Sequence, residues 1–411
     1  MAMEVRRQRK LITVPDENKK TGEIMNKLNI KNTNEIKRSV LGDIASNRIN
    51  PPTVSLSNSS IYKSKLPVLK AGYSKAKLNV IKPKPVPSKE NKTIVEVKKV
   101  KASNINSIID KTKNLKLEIE IKSNIPVNIE DIDKEDHRNP FLVAAYAKDI
   151  YDYLKYLEKT HPIKEDYLKT KEVTPKTRAI LIDWLVDVQQ EYHLLQETLH
   201  IAVGILDSYL QNAHKVNRSH LQLIGMTALF LACKYEETTI PAVEDLVYVS
   251  ASTFKESDLF HMEREMFRTI GFDISRPISL SFLRRYSKAA YARSDQHTYA
   301  KYFLELSLIE YSLCHVYPSL IASAALYLAL FVTSNNNKID GTLWTKTLEY
   351  YSGYKFDDFK FVLKTLAKIV INAKSSKLTA IIQKYSSQKF FKVSLNTCLY
   401  SERMEYLANS K

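Results

Sequence analysis

From about residue 139 onward, apolar residues recur at helical spacing. Asn139 stands as a cap with Pro140 at the first helical position, opening NPFLVAAYAKDIYDYLKYLEK. TRAILIDWLVDVQQEYHLL (177–195) is apolar nearly all the way round. Leu181, Leu185, Val188 and Tyr192 form one stripe, Ile180 and Trp184 widen it, and Ile182 and Val186 lie on another face. A helix of that kind belongs at the centre of a bundle. The pattern predicts further helices over 197–211, 218–237, 242–251 and 255–272. After Gly271 an extended linker leads to a new helix near Ser279. Strand-like alternation occurs only in LKLEIEI (115–121), so the body is expected to be all-α.

The body repeats itself. LIGMTALFLA (223–232) and LIASAALYLA (320–329) share six of ten residues at a separation of 97. Each precedes a short helical segment and then a longer amphipathic one. Solenoid repeats have periods of about 20 to 50 residues, so the separation instead fits two copies of a five-helix domain of roughly 100 residues.

Composition divides the chain at about residue 136. Residues 1–136 hold 28 Lys/Arg against 16 Asp/Glu, and the remainder holds 34 against 29. Tyr62 and Tyr73 are the only aromatics in the first part. A segment so poor in apolar bulk cannot offset its ordering entropy, so 1–136 is expected to be a disordered basic tail. Its spaced lysines lack aromatic stacking partners and read as a solvated tail, not a nucleic-acid groove. Cys233, Cys314 and Cys398 form no CxxC, which predicts neither a disulfide framework nor a metal site. The longest apolar runs, 223–233 and 320–332, fall short of the roughly 20 residues a membrane span requires. The chain is therefore expected to be soluble and intracellular. Eight glycines form no GxGxxG or P-loop, there is no HExxH, and no nucleophile constellation is visible. Neither catalysis nor a cofactor is expected.

TRAILIDWLVDVQQEYHLLQETLHIAV, LQLIGMTALFLACKYEE, HMEREMFRTIGFDISRPISLSFLRRYSK and LWTKTLEYYSGY together resemble the cyclins, most closely the mitotic B type. The resemblance covers about residues 139–375. It implies two tandem five-helix cyclin boxes, over 137–275 and 276–390, preceded by a short N-terminal helix and followed by a tail at 391–411. It also implies the regulatory subunit of a cyclin-dependent kinase, which needs no chemistry of its own. By that resemblance Lys234 and Glu263 hydrogen-bond the kinase backbone. Tyr235, Glu236, Phe267, Phe272 and Ile274, with Tyr146, Ile150 and Tyr153 of the first helix, complete the interface. Arg178, Asp207 and Leu223 match positions that hold the box together, the first two able to pair between neighbouring helices. Ile180, Leu181, Trp184, Asp187, Leu221 and Gln222 match a shallow patch that captures Arg-x-Leu motifs of substrates and inhibitors. Two departures bear on that patch: Thr177 replaces the usual Met and Asp187 the usual Glu.

The tail carries two short motifs. RSVLGDI resembles the destruction box read by the anaphase-promoting ubiquitin ligase, with Arg38, Leu41, Gly42, Asp43, Ile44 and a polar end at Asn47, one residue later than usual. Lys89, Glu90 and Asn91 resemble a KEN box. RRQRK (6–10) matches a nuclear import cluster, and the protein is expected in nucleus and cytoplasm. The competing reading is a cyclin-fold transcription factor on DNA, but no cysteine precedes Cys233 for a zinc ribbon and the body is only slightly basic. An A-type or B3-like cyclin is the alternative within the family.

Overall fold

The computed structural model describes residues 125–334 and 339–409. The motifs at 38–47 and 89–91 and the alternating stretch at 115–121 lie outside the described residues. Thirteen α-helices and several 3-10 turns make up the described residues, among which there is no strand.

A lead helix, α1 (Ala147–Thr160), precedes two five-helix bundles. The first bundle holds α2 (Pro175–Glu191), α3 (Gln196–Asn212), α4 (Leu221–Glu236), α5 (Val243–Val249) and α6 (Glu256–Thr269). The second holds α7 (Ser279–Ala289), α8 (Ser294–Ile309), α9 (Pro318–Thr333), α10 (Lys346–Ser352) and α11 (Phe356–Ala373). The two members of the sequence repeat are α4 and α9, each packed by three neighbours: α2, α3 and α6 around α4, and α7, α8 and α11 around α9. Small residues permit that enclosure. Gly225, Ala228 and Ala232 in α4, and Ala322, Ala325 and Ala329 in α9, let the surrounding helices approach closely.

Asn139 does cap the following turn, accepting from the Phe141 amide at 3.1 Å, but that turn is a 3-10 segment over Pro140–Leu142. The α-helix begins only at Ala147. At the head of α2, Thr174 and Thr177 form a reciprocal capping box: the Thr177 amide donates to Thr174 Oγ1 at 3.2 Å and the Thr174 amide to Thr177 Oγ1 at 3.0 Å. Thr177, which stands where the family favours Met, therefore uses its hydroxyl to start the helix.

Two segments assigned to tails are packed. Within 1–136, residues 130–136 lie against the second bundle, with Ile132 only 7% exposed. Past α12 (Ala380–Tyr385), the 391–411 segment forms 3-10 turns and then α13 (Glu402–Asn409), which packs on α11 and buries Met404 and Leu407 completely. A composition average taken over 136 residues conceals a seven-residue stretch that has its own site. α13 is too short to show a clear period.

Candidate functional site

α4 ends in Lys234, Tyr235 and Glu236 on the outside of the first bundle. Lys234 Nζ lies 2.5 Å from Glu263 Oε1 on α6 and 4.2 Å from the centre of the Phe230 ring. The lysine side chain is 37% exposed, and ion pairs so open contribute about 0–1 kcal/mol. The pair's importance thus lies in what it presents, a cation and a carboxylate held in fixed positions beside an apolar groove. That groove encloses about 470 Å³ and is lined by Leu231, Tyr235, Phe267, Phe272 and Ile274, with Arg264 and Arg268 at its edge. Glu236 stands just outside, where burial raises its carboxyl above the usual range, helped by the carboxylates of Glu197 and Glu237.

The groove's far wall depends on an unusual reversal after α6. Gly271 and Phe272 are both left-handed, at φ 72° and 60°. Glycine adopts this freely, whereas an L-residue with a Cβ loses about 1–2 kcal/mol there. The reversal lets the Phe272 amide donate to the Phe267 carbonyl at 2.8 Å and sets the two rings edge to face at 5.4 Å. Phe272 nonetheless remains 65% exposed. The Phe272 ring thus stands open beside the groove.

Tyr146, Ile150 and Tyr153 are likewise exposed, on the outer side at the start of α1. The end of that helix is tied to the same reversal. His161 Nε2 lies 2.7 Å from Asp273 Oδ2, and Arg276 donates to the His161 carbonyl at 3.3 Å. The structure thereby links the two sets of residues that sequence reading placed at one interface. Two further aromatics stand exposed here that the motifs do not mark: Tyr156, whose ring stacks on Tyr153 at 6.3 Å, and Phe141, which is 91% exposed. Tyr156 was detectable at three residues past Tyr153. Phe141 was not, because it was assigned to the first turn of an α-helix.

Arg178 and Asp207 are paired as expected. Arg178 Nε and Nη2 donate to the two carboxylate oxygens at 2.7 and 2.6 Å, and the Tyr167 hydroxyl joins at 2.7 Å. Arg178 Nη1 also donates to the Leu308 carbonyl at 2.9 Å, so the pair joins the two bundles as well as α2 and α3. Leu223 is half-buried against the core, consistent with a packing role.

The proposed docking patch is largely closed. Leu181 and Leu221 have no exposed surface, Trp184 is 3% exposed, and Gln222 is also buried. The cause is the all-round apolarity of α2, which makes it a core helix: the residues on which a docking role was placed also fill the bundle. Ile180 and Asp187 remain partly exposed. Gln222 accepts from Thr253 Oγ1 at 3.2 Å, while its Nε2 has no hydrogen-bond partner.

Comparison with known proteins agrees with this architecture. The cyclin N-terminal domain matches residues 149–275 and the cyclin C-terminal domain residues 277–399. A G2/mitotic-specific cyclin-B of Patella vulgata is 44% identical over 272 residues, covering 66% of this chain and 65% of its own length. Its namesake in Spisula solidissima is 42% identical, covering 71% and 68%. That of Drosophila melanogaster is 35% identical over 410 residues, covering 94% and 77%. With both halves of the body matched in order, and the paired arginine, the exposed lysine and the double bundle all in place, the chain belongs to the cyclin family.

Proposed function

We propose that this protein is the regulatory subunit of a cyclin-dependent Ser/Thr kinase acting at the G2/M transition, and that it has no catalytic activity of its own. One observation carries the reading: the Lys234–Glu263 pair stands exposed beside a groove walled by Phe267, Phe272 and Ile274. Sequence relatives named as mitotic B cyclins support the cell-cycle assignment. A kinase transfers phosphate only when its Lys–Glu ion pair and activation loop are in place. A rigid helical surface that binds the active placement of the kinase's C helix shifts that equilibrium by its differential affinity. Here Lys234 and Glu263 would hold kinase backbone groups, and the groove together with Tyr146, Ile150 and Tyr153 would bury apolar kinase surface.

Three further assignments belong to the same reading. Arg-x-Leu segments of substrates or inhibitors would dock beside Ile180 and Asp187, the two patch residues that keep exposed surface. Arg38–Asn47 and Lys89–Asn91 would deliver the chain to the anaphase-promoting ubiquitin ligase, with RRQRK directing it between cytoplasm and nucleus. The test mixes the full chain with an inactive mitotic cyclin-dependent kinase and a kinase-activating enzyme, and follows phosphorylation of histone. Activation by the wild type and its loss in Lys234→Ala/Glu263→Ala are expected. Absence of binding by the wild type refutes the reading.

A further inference from the structure

We propose that Asp133 and Arg285 are positioning residues for kinase activation: through them the second bundle holds the outer face of α1 ready for the kinase. The inference rests on the kinase-binding reading above. It begins from a seven-residue acidic stretch, EDIDKED (130–136), laid on a basic and aromatic part of the second bundle. Asp133 accepts two bonds from the Arg285 guanidinium, both at 2.6 Å, and one from Lys288 at 2.8 Å. Asp136 also accepts from Lys288. Tyr351 closes the stretch, its hydroxyl accepting from the Ile132 amide at 3.2 Å and donating to the Glu130 carbonyl at 3.0 Å.

Arg285 connects this stretch to the lead helix. Its side chain is only 7% exposed, and its guanidinium lies 4.8 Å from the Tyr351 ring and 5.4 Å from the Tyr151 ring. Tyr151 belongs to α1, and its hydroxyl donates to the Ser281 carbonyl at 3.1 Å. Further along the same face, Lys155 donates to the Ser352 carbonyl, and Glu158 accepts from the Ser319 amide and hydroxyl at 3.0 and 2.6 Å. Tyr151, Lys155 and Glu158 follow the i, i+4, i+7 spacing of one helical face, and all three are anchored in the second bundle. The opposite face carries Ile150 and Tyr153. The bundle that lies after the Lys234–Glu263 groove in sequence therefore sets the direction in which that face points.

A 14-residue helix is marginal in water by itself, so its form and aim come from these anchors. Lys155 and Glu158 secure its C-terminal half. Its N-terminal half, which presents Ile150 and Tyr153, depends on Tyr151 and on the clamped stretch just upstream. Releasing Asp133 lets that half fray, and the kinase must then order it at the expense of affinity.

The experiment uses the full chain and measures kinase affinity at fixed salt for wild type, Asp133→Asn and Arg285→Lys. Asparagine keeps the shape of Asp133 and removes its charge; lysine keeps the charge of Arg285 but loses the planar fork. Each is expected to weaken binding on the order of tenfold, the size of one lost charge-assisted contact. A double-mutant cycle with Ile150→Ala/Tyr153→Ala separates positioning from general damage: the losses should fail to add there, yet add with Lys234→Ala. Amide exchange should rise in 147–153 and stay unchanged in α4. Additive losses in both cycles, or unchanged affinity beside a wild type that binds, overturn the proposal and leave the kinase reading standing. A wild type that binds no kinase overturns both.

Discussion

The most demanding test of the packing concerns Lys384, in the segment that follows the second bundle. It lies on α12, which packs on both α2 and α8. Its ammonium donates to both Glu305 oxygens, at 2.7 and 2.8 Å, and to Gln189 Oε1 at 2.9 Å. Tyr385 and Gln196 donate to Glu305 Oε1 as well, at 2.9 and 2.7 Å. The two charged side chains are 2% and 1% exposed. Lys384→Met retains most of the volume and removes the cation, leaving a buried carboxylate with neutral donors only. Breaking a buried pair from one side costs about 3–5 kcal/mol. That is a large share of the roughly 5–15 kcal/mol that stabilises a typical domain. At about 2–4 °C per kcal/mol, the melting temperature should fall by about 6–20 °C. The double variant Lys384→Met/Glu305→Gln, which removes both charges and keeps an acceptor for Tyr385, should lie much closer to wild type. The assay is urea unfolding followed by tryptophan fluorescence. Trp184 in the first bundle and Trp344 in the second are each 3% exposed, so the combined signal follows the unfolding of both. A Lys384→Met cost below about 1 kcal/mol, or a double variant less stable than the single, refutes the reasoning that charge burial dominates here.

Other substitutions probe different terms. In Gly225→Ala the new Cβ would come 2.7 Å from Leu181 Cδ1, inside a side chain with no exposed surface, so urea unfolding should show a loss of about 1–3 kcal/mol from overpacking. Gly204 has nothing within 4 Å of its Cβ position, and Gly204→Ala should instead gain up to about 1 kcal/mol of helix propensity. His200 is 6% exposed, and burial lowers its pKa from 6.5 to about 4. The unfolded chain therefore binds a proton before the folded one does. Stability supported by the neutral ring is complete above pH 6.5 and is lost as pH falls toward 4. His200→Phe should remove that component, visible as a gap in unfolding free energy that changes by up to about 1.4 kcal/mol per pH unit in that window. Trimming the chain to 137–390 removes Asp133 and the fully buried Met404 and Leu407. Burial of two such side chains is worth about 3–6 kcal/mol, so the trimmed protein should unfold at markedly lower urea; an unchanged midpoint would show that these segments contribute nothing.

Local patterns were legible because they depend on neighbours in sequence. The periodicity of 177–195 marks α2 at Pro175–Glu191, and the repeated apolar decamer marks the two central helices α4 and α9. Lys234 and Glu263 could be singled out through resemblance, since both lie in long matching motifs. Leu181 and Leu221 show the limit of that approach: motif identity named both for docking, although the all-round apolarity of 177–195 already pointed Leu181 to the core and packing buries Leu221 as well. Nothing in the spacing of Asp133 and Arg285, 152 residues apart, or of Glu305 and Lys384, 79 apart, marks either pair. Charges in sequence read as solvated until a fold removes the water around them.

The sequence by itself thus determined that the body is helical, that it is built twice, and which family it joins, because helical period and long motifs are recorded residue by residue. Tertiary structure alone decided that 130–136 and 391–409 belong to the folded body, that the docking patch is mostly core, and that the lead helix is mounted on the second bundle. Each of these depends on which distant side chains share a dry, low-dielectric space. Burial is a property of the assembled chain and has no period to read.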